Sequence, residues 1–504
     1  MLTSGAIWGT MVASLPIVLG RVMLKFRPLP AFLALAVAAV VAPVVGLQGA
    51  VAQNPSAQEA PVVAAVGTVV TTTTLTGPAR YSDTESPLDI AVTPADATVV
   101  PDGSRVVVER RVDNVWQVLD TPTTIAGHAT TPATLFRDPG DNVFRATYAG
   151  DDTYAASASD PKRIALKVRS SKIALGGPDT VVDEKTVTLR VLWRTISGIP
   201  VPGKVSLYRR SGTTWVRQAG HTTGSDGRTT FTLRPRTDSR WQVRGQAQAW
   251  VAGATSPSHA VDNLPPGVPV RLPAGAPSPR VKVPKQPRGF GAGPNAVVST
   301  IPTSVWNQMT GITWHRGCPV GRSGLRYLRI NYWDYQGYRR RGEMVVASGA
   351  VGQVSRALAD MYRAKLPIRA MYRVDRFGYS SRVRGGNDFR SMAAGNTSGF
   401  NCRDVVNRPG VRSPHSYGRA IDINTWENPY RSATGLVPNS WWMSHSHPRV
   451  AWRSSRHAVV RIMRSHNIRW TYGNGDTQHF DAATSGGRVV MVPGCALPAA
   501  VACD

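Results

Sequence analysis

The sequence predicts a multidomain chain, with two all-β sandwiches followed by an α+β domain built on a small antiparallel sheet. Three observations predict it. Two stretches of short Val/Thr-rich runs repeat each other at one fixed offset. A proline-dense segment separates them from the remainder of the chain. The C-terminal part then mixes strand-like alternation with helical periodicity.

The repeat is read directly. "ERRVDNVWQVLDTPTT" begins at Glu109 and "YRRSGTTWVRQAGHTT" at Tyr208. An offset of 99 residues carries Arg110, Arg111 and Trp116 onto Arg209, Arg210 and Trp215, Thr123-Thr124 onto Thr222-Thr223, and Phe144-Arg145 onto Val243-Arg244. One unchanged offset identifies a tandem duplication. Turn signals such as "PDGS", "DPGDN" and "SDGR" break each copy into short strands, and about 100 residues of such strands describe a β-sandwich of immunoglobulin type. The copies are placed at 66–169 and 170–263. The stretch "ATYAGDDTYAAS" in the first also resembles the Ig-like repeats of bacterial surface proteins, whereas the Cys-Trp-Cys pattern of antibody domains is absent.

Residues 264–292, "LPPGVPVRLPAGAPSPRVKVPKQPRG" and its tail, read as a semi-extended linker. The last domain is placed at 293–504. Within it "LRYLRINYWDY", "EMVVA" and "LPIRAMYRV" read as strands. "VGQVSRALADMYRAK" sets Val351, Val354, Leu358, Met361 and Tyr362 at helical spacing, and "RVAWRSSRHAVVRIMRSH" reads as a basic amphipathic helix.

A chain of 504 residues is too long for one core. Its formal charge is +28, and residues 293–504 carry 28 Lys/Arg against 11 Asp/Glu, with Lys365 the one lysine among them. Such a field concentrates polyanions. No zinc-finger, homeodomain or RNA-binding signature accompanies it, which disfavours nucleic acid and leaves anionic envelope polymers. From Met23, "MLKFRPLPAFLALAVAAVVAPVVGLQGAVAQ" has basic Lys25 and Arg27, an apolar run and Ala50-Val51-Ala52, the layout of a secretory signal peptide. We assign 1–52 to this region, with Met23 the true start, and 53–65 to a linker. The expected location is outside the cytoplasmic membrane, secreted or associated with the wall, with membrane contact only through an uncleaved N-terminal segment. Export permits disulfides among Cys318, Cys402, Cys495 and Cys503. Cys495 and Cys503 could close a short loop, which would leave Cys318 with Cys402.

The chemistry concentrates in "SPHSYGRAIDIN" (413–424) and "GDTQHFD" (475–481). If "AIDIN" is a strand, Ile421 and Ile423 face the core and Ala420, Asp422 and Asn424 face the other way. Gly418 permits a turn that brings His415 back beside Asp422. Asp476 and His479 would lie on opposite faces of a regular strand, so an irregular turn is needed to join them. Two histidines and a carboxylate are a zinc-ligand set, and a further carboxylate suits a general base. Spacing alone leaves two readings open: one metal site, or histidines on loops with Asp476 stabilising the turn after Asn474-Gly475.

The ordered motifs go further. "SMAAGNTSGFNCRDV", "SPHSYGRAIDIN", "NPY" and "GDTQHF" resemble, in that order, the zinc peptidases that include D-alanyl-D-alanine carboxypeptidases and L-alanyl-D-glutamate endopeptidases. The similarity runs from about Trp314 to Asp481 and is greatest to the L-alanyl-D-glutamate branch. Thr425 stands where that branch often has proline, and the approach to the last motif is shortened to "WTYGNGDTQHF".

The resemblance implies one zinc ion per catalytic domain, bound by His415, Asp422 and His479, with Asp476 as general base. It implies an amide bond of peptidoglycan stem peptides as substrate, and Arg373 in "AMYRVDRF" as the cation facing the oxyanion. Arg403 and Ser413 are candidates for substrate contacts. The alternative is a non-catalytic wall-binding protein that keeps the zinc fold, against which the retention of Asp476 argues. Two competing motifs, "HSH" at 445–447 and the Ser-x-x-Lys of "SDPK" at Ser159, lack their partner motifs.

Overall fold

The computed structural model describes residues 69–491 apart from 407, 433 and 434. The signal-peptide region, the linker at 53–65, Cys495 and Cys503 therefore lie outside the described residues. All described residues belong to one compact unit, Ala64–Asp504.

In the first β region, strands Thr71–Thr76, Glu85–Pro94 and His128–Thr134 form one antiparallel sheet. Val106–Val112, Val115–Asp120 and Val143–Tyr148 lead a second. Strict alternation along Glu85–Pro94 turns Leu88, Ile90 and Val92 inward, where they meet Val106, Val108, Phe144 and Ala146 of the other sheet in one core. The second β region repeats the plan. Ser171–Gly176, Val187–Thr195 and Arg228–Leu233 face a sheet led by Lys204–Ser211, Thr214–Thr222 and Ser239–Gly245. Leu189, Trp193, Leu207, Phe231 and Val243 fill its core.

The offset of 99 survives in three dimensions. Pairing of Val106–Val112 with Val115–Asp120 shifts register between Val108 and Glu109. The equivalent hairpin shifts between Leu207 and Tyr208, and Arg111 opposite Trp116 is mirrored by Arg210 opposite Trp215. A β-bulge re-aims every later side chain, so its recurrence at equivalent positions preserves which residues face the core.

Residues 264–292 contain no helix, and their one piece of strand is Leu264, the end of His259–Leu264. They are not a free-standing spacer. Proline removes donors from such a chain, and the donors and acceptors that remain bond to the C-terminal body instead. Gly267 N–H donates to Gly337 O (2.9 Å), Val270 N–H to Tyr335 O (2.8 Å) and Val281 N–H to Ala393 O (3.1 Å). Trp426 Nε1–H donates to Pro277 O (2.7 Å). Gln286 is only 4% exposed, and its amide accepts from Tyr332 Oη–H (2.6 Å) and Met371 N–H (2.9 Å).

The C-terminal body is built on the hairpin Leu325–Trp333/Arg339–Ala347, edged by Val297–Ser299. Helix Val351–Arg363 buries Val351, Val354, Leu358 and Met361 against it, while Tyr362 stacks on Trp333 at 5.2 Å. A small sheet, Ala420–Asp422, His479–Ala482 and Ile468–Arg469, shares the same core through Ile421 and Phe480.

Two expected elements differ. "LPIRAMYRV" is not a strand, because its backbone serves several partners: Ile368 N–H donates to Trp333 O, and Met371 O accepts from Glu343 N–H. The expected helix over 449–466 shortens to Ala458–Ser465. His457 caps it, and Arg449 and Arg453 upstream donate to backbone carbonyls in a loop.

Candidate metal centre

Three short elements assemble the centre. Pro414–Tyr417 form a single 3-10 turn, capped by Ser413 Oγ accepting from His415 N–H. Gly418 ends the turn with φ 68°, where a Cβ would stand 2.9 Å from Ala347 N. The chain thus doubles back into Ala420–Asp422 with His415 alongside. Ile421 and Ile423 enter the core and Asp422 takes the opposite face, as alternation predicts. Asp422 is the register partner of His479 on one side. On its other side it exchanges two backbone bonds with Ser398, at 2.9 and 3.0 Å.

These placements bring His415, Asp422 and His479 together, all buried. His415 Nε2 lies 3.2 Å from His479 Nδ1 and 3.3 Å from Asp422 Oδ2, and His479 Nδ1 lies 3.3 Å from Asp422 Oδ1. The remaining ring nitrogens define the tautomers. His415 Nδ1 is 2.8 Å from Gly399 O, an acceptor only, so Nδ1 bears the proton. His479 Nε2 is 3.1 Å from Asp481 Oδ2 and donates to it. Two imidazole lone pairs and a carboxylate therefore converge on one point.

Three electron-pair donors this close repel one another unless a cation sits among them. Ligands placed tetrahedrally around zinc at roughly 2.0–2.1 Å stand about 3.3 Å apart. The side chains fit a zinc ion, with the tautomers such a site needs.

Asp476 ends the 3-10 turn Gly473–Gly475, just before the strand that carries His479, and it is 0% exposed. Its backbone forms an isolated bridge with Tyr430. Ser413 N–H donates to Arg403 O (3.1 Å), and Arg403 N–H donates to Ser416 Oγ (3.0 Å), so these two candidates brace the His415 turn. The Arg403 guanidinium pairs with Asp388 at 3.0 Å. Arg373 is buried, 3.1 Å from Asp375 and 2.6 Å from Gln308 Oε1. Its Nη1 has no hydrogen-bond partner among the described residues.

The competing motifs are engaged elsewhere. His445 Nδ1 contacts Trp441 O (2.7 Å) and His447 Nε2 contacts Arg271 O (3.2 Å). Ser159 Oγ accepts from Ala146 N–H (3.0 Å) inside the first β region. Cys318 and Cys402 are joined, and the bridge fastens the segment that presents the Gly399 carbonyl.

Sequence reasoning passed over Asp481 and the buried Glu427. Asp481 carried a usable signal, since on a strand residues i and i+2 share a face. Glu427 pairs with Arg369 and accepts from Tyr335 Oη–H (3.0 Å), contacts that only the fold creates.

Residues 407–482 match the D-alanyl-D-alanine carboxypeptidase family. The matched segment holds His415, Asp422, Asp476, His479 and Asp481, and it supports a peptidase. Arg373 and Arg403 precede it. No curated protein matches the chain. Among solved structures, the chain is similar to a superoxide reductase (neelaredoxin) from Ignicoccus hospitalis, at 11% identity and TM-score 0.16, covering 18% of this chain and 80% of that one. It is similar also to the adhesin InvE of Yersinia pseudotuberculosis, at 12% identity and TM-score 0.24, covering 39% and 58%. A marsupial T cell receptor matches at 8% identity and TM-score 0.22, covering 53% and 98%. Scores this low carry no argument.

Proposed function

We propose that this chain is an exported zinc-dependent peptidase that hydrolyses an amide bond of peptidoglycan stem peptides. The convergence of two imidazole lone pairs and the Asp422 carboxylate, inside a segment that matches a peptidase family, carries the reading. His415, Asp422 and His479 would hold the metal. When bound, zinc lowers the pKa of a water molecule and polarises the scissile carbonyl.

The chain's own residues supply the rest. Asp476 takes a proton from the attacking water and passes it to the leaving amine. Arg373 offers a guanidinium to the developing oxyanion. Asp481 and the Gly399 carbonyl hold the two rings in the binding tautomer. In this reading the two β regions are Ig-like modules that set the catalytic domain at a distance from its anchorage, and the N-terminal segment directs export.

The test is digestion of purified peptidoglycan followed by mass analysis of the released fragments. Free D-alanine identifies carboxypeptidase action, and loss of the stem beyond its first L-alanine identifies L-Ala–D-Glu endopeptidase action. Unchanged stem-peptide masses and no free D-alanine after prolonged digestion with zinc-loaded protein would sink the proposal.

A further inference from the structure

The docked proline-rich segment makes one wall of a trench outside the candidate metal centre. Val281, Lys282, Val283 and Pro284 face Tyr372, Arg376, Phe377 and Arg390 across a cavity of 350 Å³. The wall is fastened by the Val281 bond to Ala393 and by Tyr372 Oη–H donating to Pro284 O (2.7 Å). A second cavity of 230 Å³ continues the first, sharing Tyr372 and Arg376 and adding Arg329 and Arg341.

Five cations line this double cavity: Lys282, Arg376, Arg390, Arg329 and Arg341. One acid, Glu343, lies among them, and it is already engaged by Tyr327 Oη–H (2.5 Å), Arg376 (3.4 Å) and Arg373 (3.7 Å). Lys282, Arg329, Arg341 and Arg390 have no acidic partner within 4.0 Å among the described residues. Burial pushes the Arg341 guanidinium down, and the neighbouring charge of Arg329 adds to this. Lys282, Arg329, Arg376 and Arg390 are exposed, and a row of like charges open to solvent along one trench raises the local concentration of polyanions.

We infer that this trench binds a phosphodiester-linked anionic polymer of the cell envelope. Four of the five cations are guanidiniums, whose planar fork matches phosphate oxygens in pairs. Cations along both connected cavities suit a chain with a charge on every repeat better than a single anion. The choice of an envelope polymer rests on the exported reading, while the binding itself requires neither zinc nor hydrolysis.

The test is anisotropy titration of a labelled glycerol-phosphate polymer with the full chain at several salt concentrations. Lys282→Ala/Arg390→Ala is the trench variant. Arg356→Ala/Arg461→Ala removes the same charge from two exposed helical positions outside the trench. The trench variant is expected to lose about tenfold in affinity at low salt and to lower the log–log salt slope by about one to two, with the control unchanged. Equal losses in both variants would overturn the trench. Tighter binding of duplex DNA or of polyglutamate through the same two residues would overturn the assigned polymer. Zinc content and peptidoglycan cleavage are measured on the same proteins. Failure of the wild type to bind the polymer while it holds zinc and cleaves peptidoglycan counts against the trench alone, whereas polymer binding by a wild type that takes up no zinc counts against the proposed function.

Discussion

The carboxylate of Asp481 stands 3.1 Å from His479 Nε2, while Nδ1 of the same ring faces Asp422 at 3.3 Å. Thr471 Oγ1–H donates to Asp481 Oδ2 (2.6 Å), so the carboxylate is itself held. Partners of this kind fix a ligand's tautomer and strengthen its donor atom. Asp481→Ala is expected to weaken zinc binding about 10–100-fold, read by competition with a chromogenic chelator. Asp481→Asn retains an acceptor oxygen and should lose less. Unchanged affinity in the alanine variant would remove Asp481 from the site.

The Cys318–Cys402 bridge joins residues 84 apart in sequence. It ties down the segment whose Gly399 carbonyl orients His415 and whose Ser398 pairs with Asp422. Replacing both cysteines by serine should cost about 2–5 kcal/mol of stability. It should also lower zinc affinity, because the Gly399 carbonyl is then less firmly placed. Calorimetry with a parallel zinc titration checks both. A variant with reduced thermal stability and unaltered zinc affinity would separate the bridge from the site.

Burial pushes the His457 imidazole below its ordinary value. The neutral ring accepts from Val459 N–H (3.2 Å) to cap helix Ala458–Ser465, and its Nε2–H donates to His447 O (3.2 Å). The unfolded chain, with a histidine pKa of about 6.5, then binds the proton more readily than the folded one. Stability therefore rises with pH and is lost as pH falls below about 6.5. Burial gives His447 the same sign. The urea midpoint should fall between about pH 7 and pH 5, and His457→Asn, which keeps a capping group without titrating, should flatten part of that slope. An identical slope in the variant would contradict this.

Local periodicity made much of this molecule legible before any coordinates. Alternation placed Ile421 and Ile423 inward and Asp422 outward, and helical spacing located Val351–Arg363. The offset of 99 read from the sequence separates the two equivalent register shifts as well, though nothing in the sequence announced the shifts themselves. What stayed hidden depends on non-local bonds. Residues 264–292 have the composition of a linker, but their hydrogen bonds go to Gly337, Tyr335 and Ala393, far along the chain. "LPIRAMYRV" has strand composition, yet Gln286, Trp333 and Glu343 divide its backbone among them. The Arg369–Glu427 pair, 58 residues apart, leaves no pattern that one sequence reveals.

The most direct measurement of the central claim compares wild type with Asp476→Asn after chelation and zinc titration, scoring metal content and peptidoglycan cleavage together. Both proteins should take up one zinc per chain. Wild-type cleavage should vanish with the chelator and return with that one equivalent, while Asp476→Asn should bind zinc and stay inactive. Wild-type cleavage that survives full removal of metal, or an Asp476→Asn protein that cleaves at the wild-type rate, would contradict the account.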